Sequence, residues 1–447
     1  MLFRRAFESW NGSCLVVRVT SQSSLSKRYG QKAFNSFLNP CELEIDLFCR
    51  GLRIDDGTRH KVRQAQRTRA GLGSGLELII PGSFKDIWAN APTEEGFVEH
   101  SPYVLRQEKG GFVIRDEVSV YRYPVRIEAV PAWYERQTSR GVPMGQVGNL
   151  QGTYLGIYIG PVCRYWVSEP ALNCKFCTTG LNVGTNEITK KSVNDVVETC
   201  RTAQQESGIT FVHFNSGFQE GRGFQMARPF VEAVKRSTGL LVGLQLIPQR
   251  DLSLYDGMID LGVDHFSFCF EFMNQDTFRE LCPGKEATLG QETFFRAMEY
   301  TACKLGKGRV SGEIIAGVEP IEDTLRAIDR ITDCGAFPTV CVFRPLKGCA
   351  MEGDPPPRYE DMRQVFQYMI ESCIRKRIPV GIAPNVEVSL VVQPSDALYL
   401  APPTLSSAAY RLRNRVLKTM MRPVFRRRMQ PRSQKGQRVE GSKSPRA

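Results

Sequence analysis

From Gly152 onward the sequence alternates short apolar runs with amphipathic stretches, and this restricts the fold more than any other feature. Strand candidates recur at Tyr154–Ile159, Thr210–Asn215, Leu240–Ile247, His265–Phe270, Val310–Ala316 and Thr339–Phe343. Helix candidates follow at Ser192–Ser207, Arg228–Ser237, Leu254–Leu261, Gln291–Lys304, Ile321–Cys334 and Tyr359–Arg375. Ser192-Val-Asn-Asp and Pro320-Ile-Glu-Asp supply helix starts, while Gly208, Gly239, Gly262, Gly306 and Gly335 supply stops. Repeated strand-then-helix units predict a parallel sheet with right-handed crossovers, either doubly wound or a complete or partial (β/α) barrel. Both place ligands at the carboxyl ends of the strands. The residues just after each strand are therefore the ones to read for function.

The flanks have a different texture. Residues 1–150 read as a β-rich domain, with alternation or short apolar runs at Glu42–Arg50, Leu76–Ile80, Tyr103–Arg106, Val118–Val125 and Ile127–Val130. Gly110 and Gly111 separate Tyr103–Arg106 from Phe112–Ile114 and predict a hairpin turn. His60 and His100 stand alone, as surface or structural histidines do. Beyond residue 400, Leu405, Ala409, Leu412, Val416 and Met420 recur at helical spacing, which predicts a basic amphipathic helix. After Pro423 the composition predicts a disordered, solvated tail. Residues 401–447 hold thirteen Lys or Arg against one acid, Glu440, whereas positions 1–400 balance at 46 of each sign. The net charge of +12 thus belongs to the tail. It suits a solubilising or weakly interacting extension, leaves room for a weak anionic partner there (RNA, an acidic protein or a membrane surface), and says nothing about a groove in the body.

No apolar run approaches the roughly 18–20 residues that span a bilayer, and no signal peptide is recognisable after MLFRRAFESW, so a cytoplasmic protein that is not integral to a membrane is expected. Fourteen cysteines in such a chain argue against a disulfide framework. Cys200, Cys303, Cys334 and Cys373 fall on helices and read as inert thiols. Cys163, Cys174 and Cys177 differ, because they share one loop just past the first strand, in GPVCRYWVSEPALNCKFC. Three thiolates on one loop suit a soft metal or an iron–sulfur cluster. A structural zinc site would want a fourth Cys or His, and a redox pair would use Cys174 and Cys177 alone.

The segment from about Tyr154 to about Pro384 resembles the radical S-adenosylmethionine (SAM) superfamily, most of all its biotin-synthase-type barrels. The family's loop is C-x3-C-x2-C with an aromatic before the last cysteine; here Phe176 fills the aromatic place and the first gap is ten residues. Further matches follow strand by strand. Asn215, Ser216 and Gly217 resemble the stretch that meets the SAM amino group. Glu271 matches the acid that bonds the ribose hydroxyls. Lys285, with Arg279 second, matches the cation that pairs with the SAM carboxylate. Gly317, in GEIIAGVEPIED, resembles the family's adenine-packing glycine motif, and Phe343 lies in the segment that closes over the adenine.

The resemblance implies a partial (β/α)6-type TIM barrel over residues 151–400, with the β-rich domain before it and the basic tail after. It implies a [4Fe–4S] cluster on Cys163, Cys174 and Cys177. It further implies reductive cleavage of SAM to a 5′-deoxyadenosyl radical, a flavodoxin- or ferredoxin-like electron donor, and hydrogen abstraction from a small-molecule substrate. Arg344, His213, Gln245 and Arg250 sit at or past strand ends and are candidate substrate contacts. Cys341 and Cys349, with Cys269 or Cys282, are candidates for a second cluster, though core thiols fit them as well. Two other readings stand beside this one. The first is a non-catalytic barrel with a structural zinc or redox cysteine loop. The second is an RNA-modifying radical SAM enzyme that grips phosphates with its tail.

Overall fold

The computed structural model describes residues 37–67 and 71–431. Seven strands form the central sheet: β1 (Asn149–Leu150), β2 (Leu155–Tyr158), β3 (Phe211–Asn215), β4 (Leu241–Gln245), β5 (His265–Glu271), β6 (Val310–Ala316) and β7 (Phe337–Val342). Spatial order follows chain order. Strands β2 to β7 run parallel, and β1 pairs antiparallel with β2. The result is a curled, open half-barrel rather than a doubly wound sheet. Helices Val193–Ser207, Gly223–Ser237, Ser253–Leu261, Gln291–Leu305 and Ile321–Asp333 make the crossovers, and Tyr359–Lys376 follows β7. These elements lie where the periodicity places them, with ends shifted by a few residues.

Alternation along the strands sorts side chains between two faces. On β5, Phe268 packs against Tyr255 and Phe270 against Phe295, on the helix side. On β6, a Cβ at Gly312 would lie 2.5 Å from Ile331 Cγ1, so Gly312 also faces the helices. His265, Ser267 and Cys269 of β5, and Ser311 and Glu313 of β6, therefore face the concave side.

The region before β1 is mixed rather than simply β-rich. Tyr103–Glu108 and Gly111–Asp116 form the expected hairpin, and Gly75–Ile80 pairs with Ile87–Ala91. Glu42–Arg50, however, lies in a helix, Pro40–Arg50. Asn39 caps it, accepting from the Cys41 and Glu42 amides at 3.0 and 3.1 Å, and Glu42 reaches back to the Asn39 amide at 3.0 Å. That capping box and the Pro40 start override an alternating pattern that suits a strand. Glu44 and Asp46, which set that alternation, are buried in the helix along with Leu43, Ile45, Leu47 and Phe48. Strand structure in the next segment covers only Arg122–Val125, after a turn in which Val120 takes φ 60°. His60 and His100 are exposed. One continuous hydrophobic core joins this region to the half-barrel.

The tail also departs from expectation. Its helix runs from Leu405 through Pro423 to Arg428, so the segment just after Pro423 is ordered. Tyr410, Asn414, Leu417, Met421 and Phe425 form its docked edge. Arg428 pairs with Asp264, and a Cβ on Gly239 would lie 2.4 Å from the Met429 carbonyl. These contacts outweigh the interior proline, whose penalty is about 3 kcal/mol. The opening residues read above for a signal, and the tail beyond residue 431, lie outside the described residues.

Candidate functional site

The cysteine loop starts where β2 ends. Cys163 opens a short helix, Arg164–Val167, and its sulfur accepts the Phe218 amide at 3.3 Å. The Gly217 amide donates to the Tyr158 hydroxyl at 3.0 Å. A Cβ on Gly217 would lie 2.7 Å from the Cys163 sulfur, so only glycine admits this approach. Cys177 turns back on Cys174 through a 3.0 Å amide–carbonyl bond, and the Thr179 amide donates to its sulfur at 3.4 Å. The loop is tied down on both sides: the Lys175 amide donates to Leu281 O and its carbonyl accepts from Ala350, each at 2.9 Å. Phe176 meets Phe272 edge-on at 5.7 Å.

The thiols sense one another. Burial and then the neighbouring Cys174 push the Cys177 thiol up to about 11, with Cys163 adding to it. Cys174 moves the other way, because the Cys282 thiol hydrogen-bonds its sulfur and Lys285 lies near. Lys285 is buried at 6% exposure and donates from Nζ to Glu271 Oε1 at 2.6 Å and to Cys269 O at 2.8 Å. Burial opposes its charge, but Glu271 first and Cys174 next hold it protonated well above its usual range. Glu271 takes φ 67° at a register shift between Cys269 and Glu271, which turns it out of the strand alternation toward Lys285. The two residues expected to contact different ends of SAM are thus partners of each other.

A polar network fills the concave face below this pair. Glu313 accepts from the Ser267 hydroxyl, the Gln245 amide and, at 3.1 Å, the Cys269 thiol. Burial raises its carboxyl above the usual range despite these donors. Ser311 extends the chain, donating to Ser267 Oγ at 2.8 Å and meeting His265 Nε2 at 3.4 Å. His213 and His265 lie 5.7 Å apart, and burial depresses them to about 3 and about 4, so both are neutral at pH 7. His213 Nε2 is buried with no hydrogen-bond partner. Sequence reasoning missed Glu313 and read Cys282 only as a candidate for a second cluster. Glu313 left a signal, a lone acid amid the apolar strand VSGEIIA in phase with Ser311; nothing in the sequence set Cys282 against Cys174.

Other expected residues fall into place unevenly. Asn215, Ser216 and Gly217 end β3 at the mouth, beside a cavity of about 310 Å³ lined by Gly217, Gln219, Pro248, Arg250 and Thr288. Arg250 donates to Thr288 O at 2.8 Å across that cavity. Phe343 is buried and its amide joins Ala316 O at 2.9 Å. Gly317 takes φ 95°, and a Cβ there would lie 2.2 Å from Pro357 Cγ. Arg279 pairs with Asp276 at 2.8 Å on an exposed helix face. Arg344 is not a free substrate contact: its guanidinium is buried and donates to Ser74 O at 3.2 Å and Asn90 O at 2.9 Å, with Glu95 at 3.7 Å. Cys303 is exposed rather than a core thiol.

Among the described residues, no three His, Cys, Asp or Glu side chains converge on a single-ion site. Three thiols on one loop, close enough to shift one another's protonation, are a donor set that would suit an iron–sulfur cluster. The solved structures to which the chain is similar include a radical SAM methyltransferase from Sphaerobacter thermophilus (13% identity, TM-score 0.37, covering 61% of this chain and 75% of that one). They also include Streptococcus suis SuiB bound to S-adenosylmethionine (13% identity, TM-score 0.38, covering 62% and 70%). In sequence, the chain is 29% identical over 119 residues to a bacteriochlorophyllide c C-7(1)-hydroxylase from Chlorobaculum limnaeum. That match spans 26% of this chain and 30% of the hydroxylase. No family profile matches the chain. Among the described residues, no helix is long and apolar enough to cross a membrane.

Proposed function

We propose that the chain is a radical SAM enzyme built on a partial (β/α)6-type barrel, acting on a small-molecule substrate held over the concave face. The observation that carries this reading is the placement of Cys163, Cys174 and Cys177 on one tethered loop at the carboxyl end of β2. Gly217 after β3 and the Glu271–Lys285 pair after β5 lie beside it. With a [4Fe–4S] cluster and SAM bound, and one electron from a flavodoxin- or ferredoxin-like donor, the site supplies a 5′-deoxyadenosyl radical for hydrogen abstraction.

The protein's own groups bind and position. The three thiols would hold the cluster as thiolates, and the raised Cys177 thiol would give up its proton on loading. Lys285, charged and buried beside Cys174, offers its ammonium to the SAM carboxylate, and Glu271 keeps an oxygen beyond its lysine bond for the ribose. Asn215, Ser216 and Gly217 would offer backbone to the amino group, and Phe176, Gly317 and Phe343 would border the adenine. Glu313, whose carboxyl burial raises above the usual range, faces the concave side where a polar substrate group would meet it, with Gln245 fixing its orientation. The basic helix lies at the amino ends of the strands, where Arg428 meets Asp264, away from this mouth. That placement favours a small molecule over an RNA gripped by the tail.

The test is anaerobic reconstitution with iron and sulfide, reduction in the presence of SAM, and assay of 5′-deoxyadenosine. The intact protein is expected to turn brown and form 5′-deoxyadenosine; Cys174→Ala/Cys177→Ala is expected to do neither. A colourless protein that binds zinc and leaves SAM intact would overturn the reading in favour of a zinc-bearing scaffold.

A further inference from the structure

The tail helix turns its most regular apolar row away from the protein. Leu405, Leu412, Val416, Met420 and Val424 recur at helical spacing and are exposed at 90, 61, 49, 67 and 42%. The docked edge is a different one, through Tyr410, Asn414, Leu417, Met421 and Phe425. The exposed row runs for about 28 Å at 1.5 Å per residue. Five large apolar side chains aligned in water on one helix are not the scattered exposure of an ordinary surface.

Charge says what would cover them. Between Leu405 and Arg428 the helix carries Arg411, Arg413, Arg415, Lys418, Arg422, Arg426, Arg427 and Arg428, with no acid. Arg428 is held by Asp264, and Arg411 and Arg413 donate to the Leu398 and Arg377 carbonyls. Among the described residues, Arg415, Lys418, Arg422, Arg426 and Arg427 make no ion pair. A second copy of the helix laid on this row would bring like charges together. An RNA would engage the cations and leave the apolar row in water. An anionic lipid surface satisfies both, taking the row among the acyl chains and the cations among the headgroups.

We propose that helix Leu405–Arg428 is an interfacial element that docks the protein, reversibly, on an anionic membrane surface. The helix lies in the plane of that surface without crossing it, and the mouth of the half-barrel, at the other ends of the strands, stays open. This stands on the helix alone and does not depend on the chemistry proposed for the cysteine site.

The experiment is co-sedimentation of the full-length protein with vesicles of phosphatidylcholine alone or mixed with phosphatidylglycerol. Binding is expected to the mixed vesicles only. Leu412→Ser/Val416→Ser/Met420→Ser should weaken it by about tenfold or more, from the loss of apolar burial. Thermal stability should not change, because these side chains touch solvent. Arg415→Gln/Lys418→Gln/Arg422→Gln should weaken binding as well and blunt its salt dependence. The proposal is overturned if the protein pellets with neither vesicle or equally with both. It is equally overturned if the serine variant binds like the parent, or if a single-stranded RNA competes away all binding while the serine substitutions have no effect.

Discussion

At the scale of single residues, the site is governed by what Lys285 and Glu271 do to each other. Both are nearly buried, and each is the other's principal counter-charge, at 2.6 Å. A buried pair gains little over apolar side chains of similar volume, but removing one partner strands the other. Lys285→Met should therefore destabilise the cluster-free protein by about 3–5 kcal/mol, leaving Glu271 unpaired in a site that still excludes water. Adding Glu271→Gln to Lys285→Met should recover most of that loss, since no buried charge remains. Chemical denaturation of the two single variants and the double variant measures the coupling. Additive losses would mean that the two groups are solvated independently and that their contact is incidental. The strained φ of 67° at Glu271 argues otherwise, because a non-glycine residue adopts it only where the surroundings hold it there.

At the scale of elements, strand ends were legible in the sequence and their turns were not. Val310–Ala316 matches its expected bounds because the pleat requires apolar residues on the helix face and β6 is covered there. Glu313 escaped notice for the same reason: a strand read as a uniformly buried run conceals the charged side chain that points into the concavity. The Pro40–Arg50 helix escaped for the opposite reason, its apolar residues being buried on every side. In the tail the periodic row was found correctly, but periodicity cannot say which face docks.

Glu319 shows a turn with a measurable consequence. Its carboxylate accepts the Met273 and Asn274 amides, each at 2.9 Å, and fixes the chain as it leaves β5. Burial dominates those bonds and raises it to about 7 from an ordinary 4.5. Between those values the folded protein keeps a proton that the unfolded chain has released, so raising the pH from about 4.5 to 7 lowers stability. Glu319→Gln keeps an acceptor and cannot ionise. The gap in thermal midpoint between variant and parent should widen in the variant's favour across that window and level off above it. A gap that is constant with pH would mean that Glu319 stays ionised throughout.

At the scale of the whole molecule, the sequence divides more readily than the structure does. Composition separates residues 1–150 from the strand–helix repeats, yet one core runs through both, and Arg344 is where they are tied. It follows β7, reads as a substrate-binding cation at a strand end, and instead reaches into the first region to close off the carbonyls of Ser74 and Asn90 beside Glu95. Nothing in a linear pattern tells a buried guanidinium that binds a ligand from one that binds a neighbouring loop, since both follow a strand and both need acceptors. The contact joins the strand pair Gly75–Ile80 and Ile87–Ala91 to the mouth of the half-barrel. Arg344→Met fits the apolar stem but leaves those carbonyls and Glu95 without their donor. Amide exchange in Gly75–Ile80 should then quicken by about tenfold or more, the equivalent of about 1.4 kcal/mol of lost protection, while exchange in Phe211–Asn215 stays as it was. Equal acceleration in both strands would mean that the first region and the half-barrel open as one unit, and that Arg344 supports the whole core rather than the seam between its two parts.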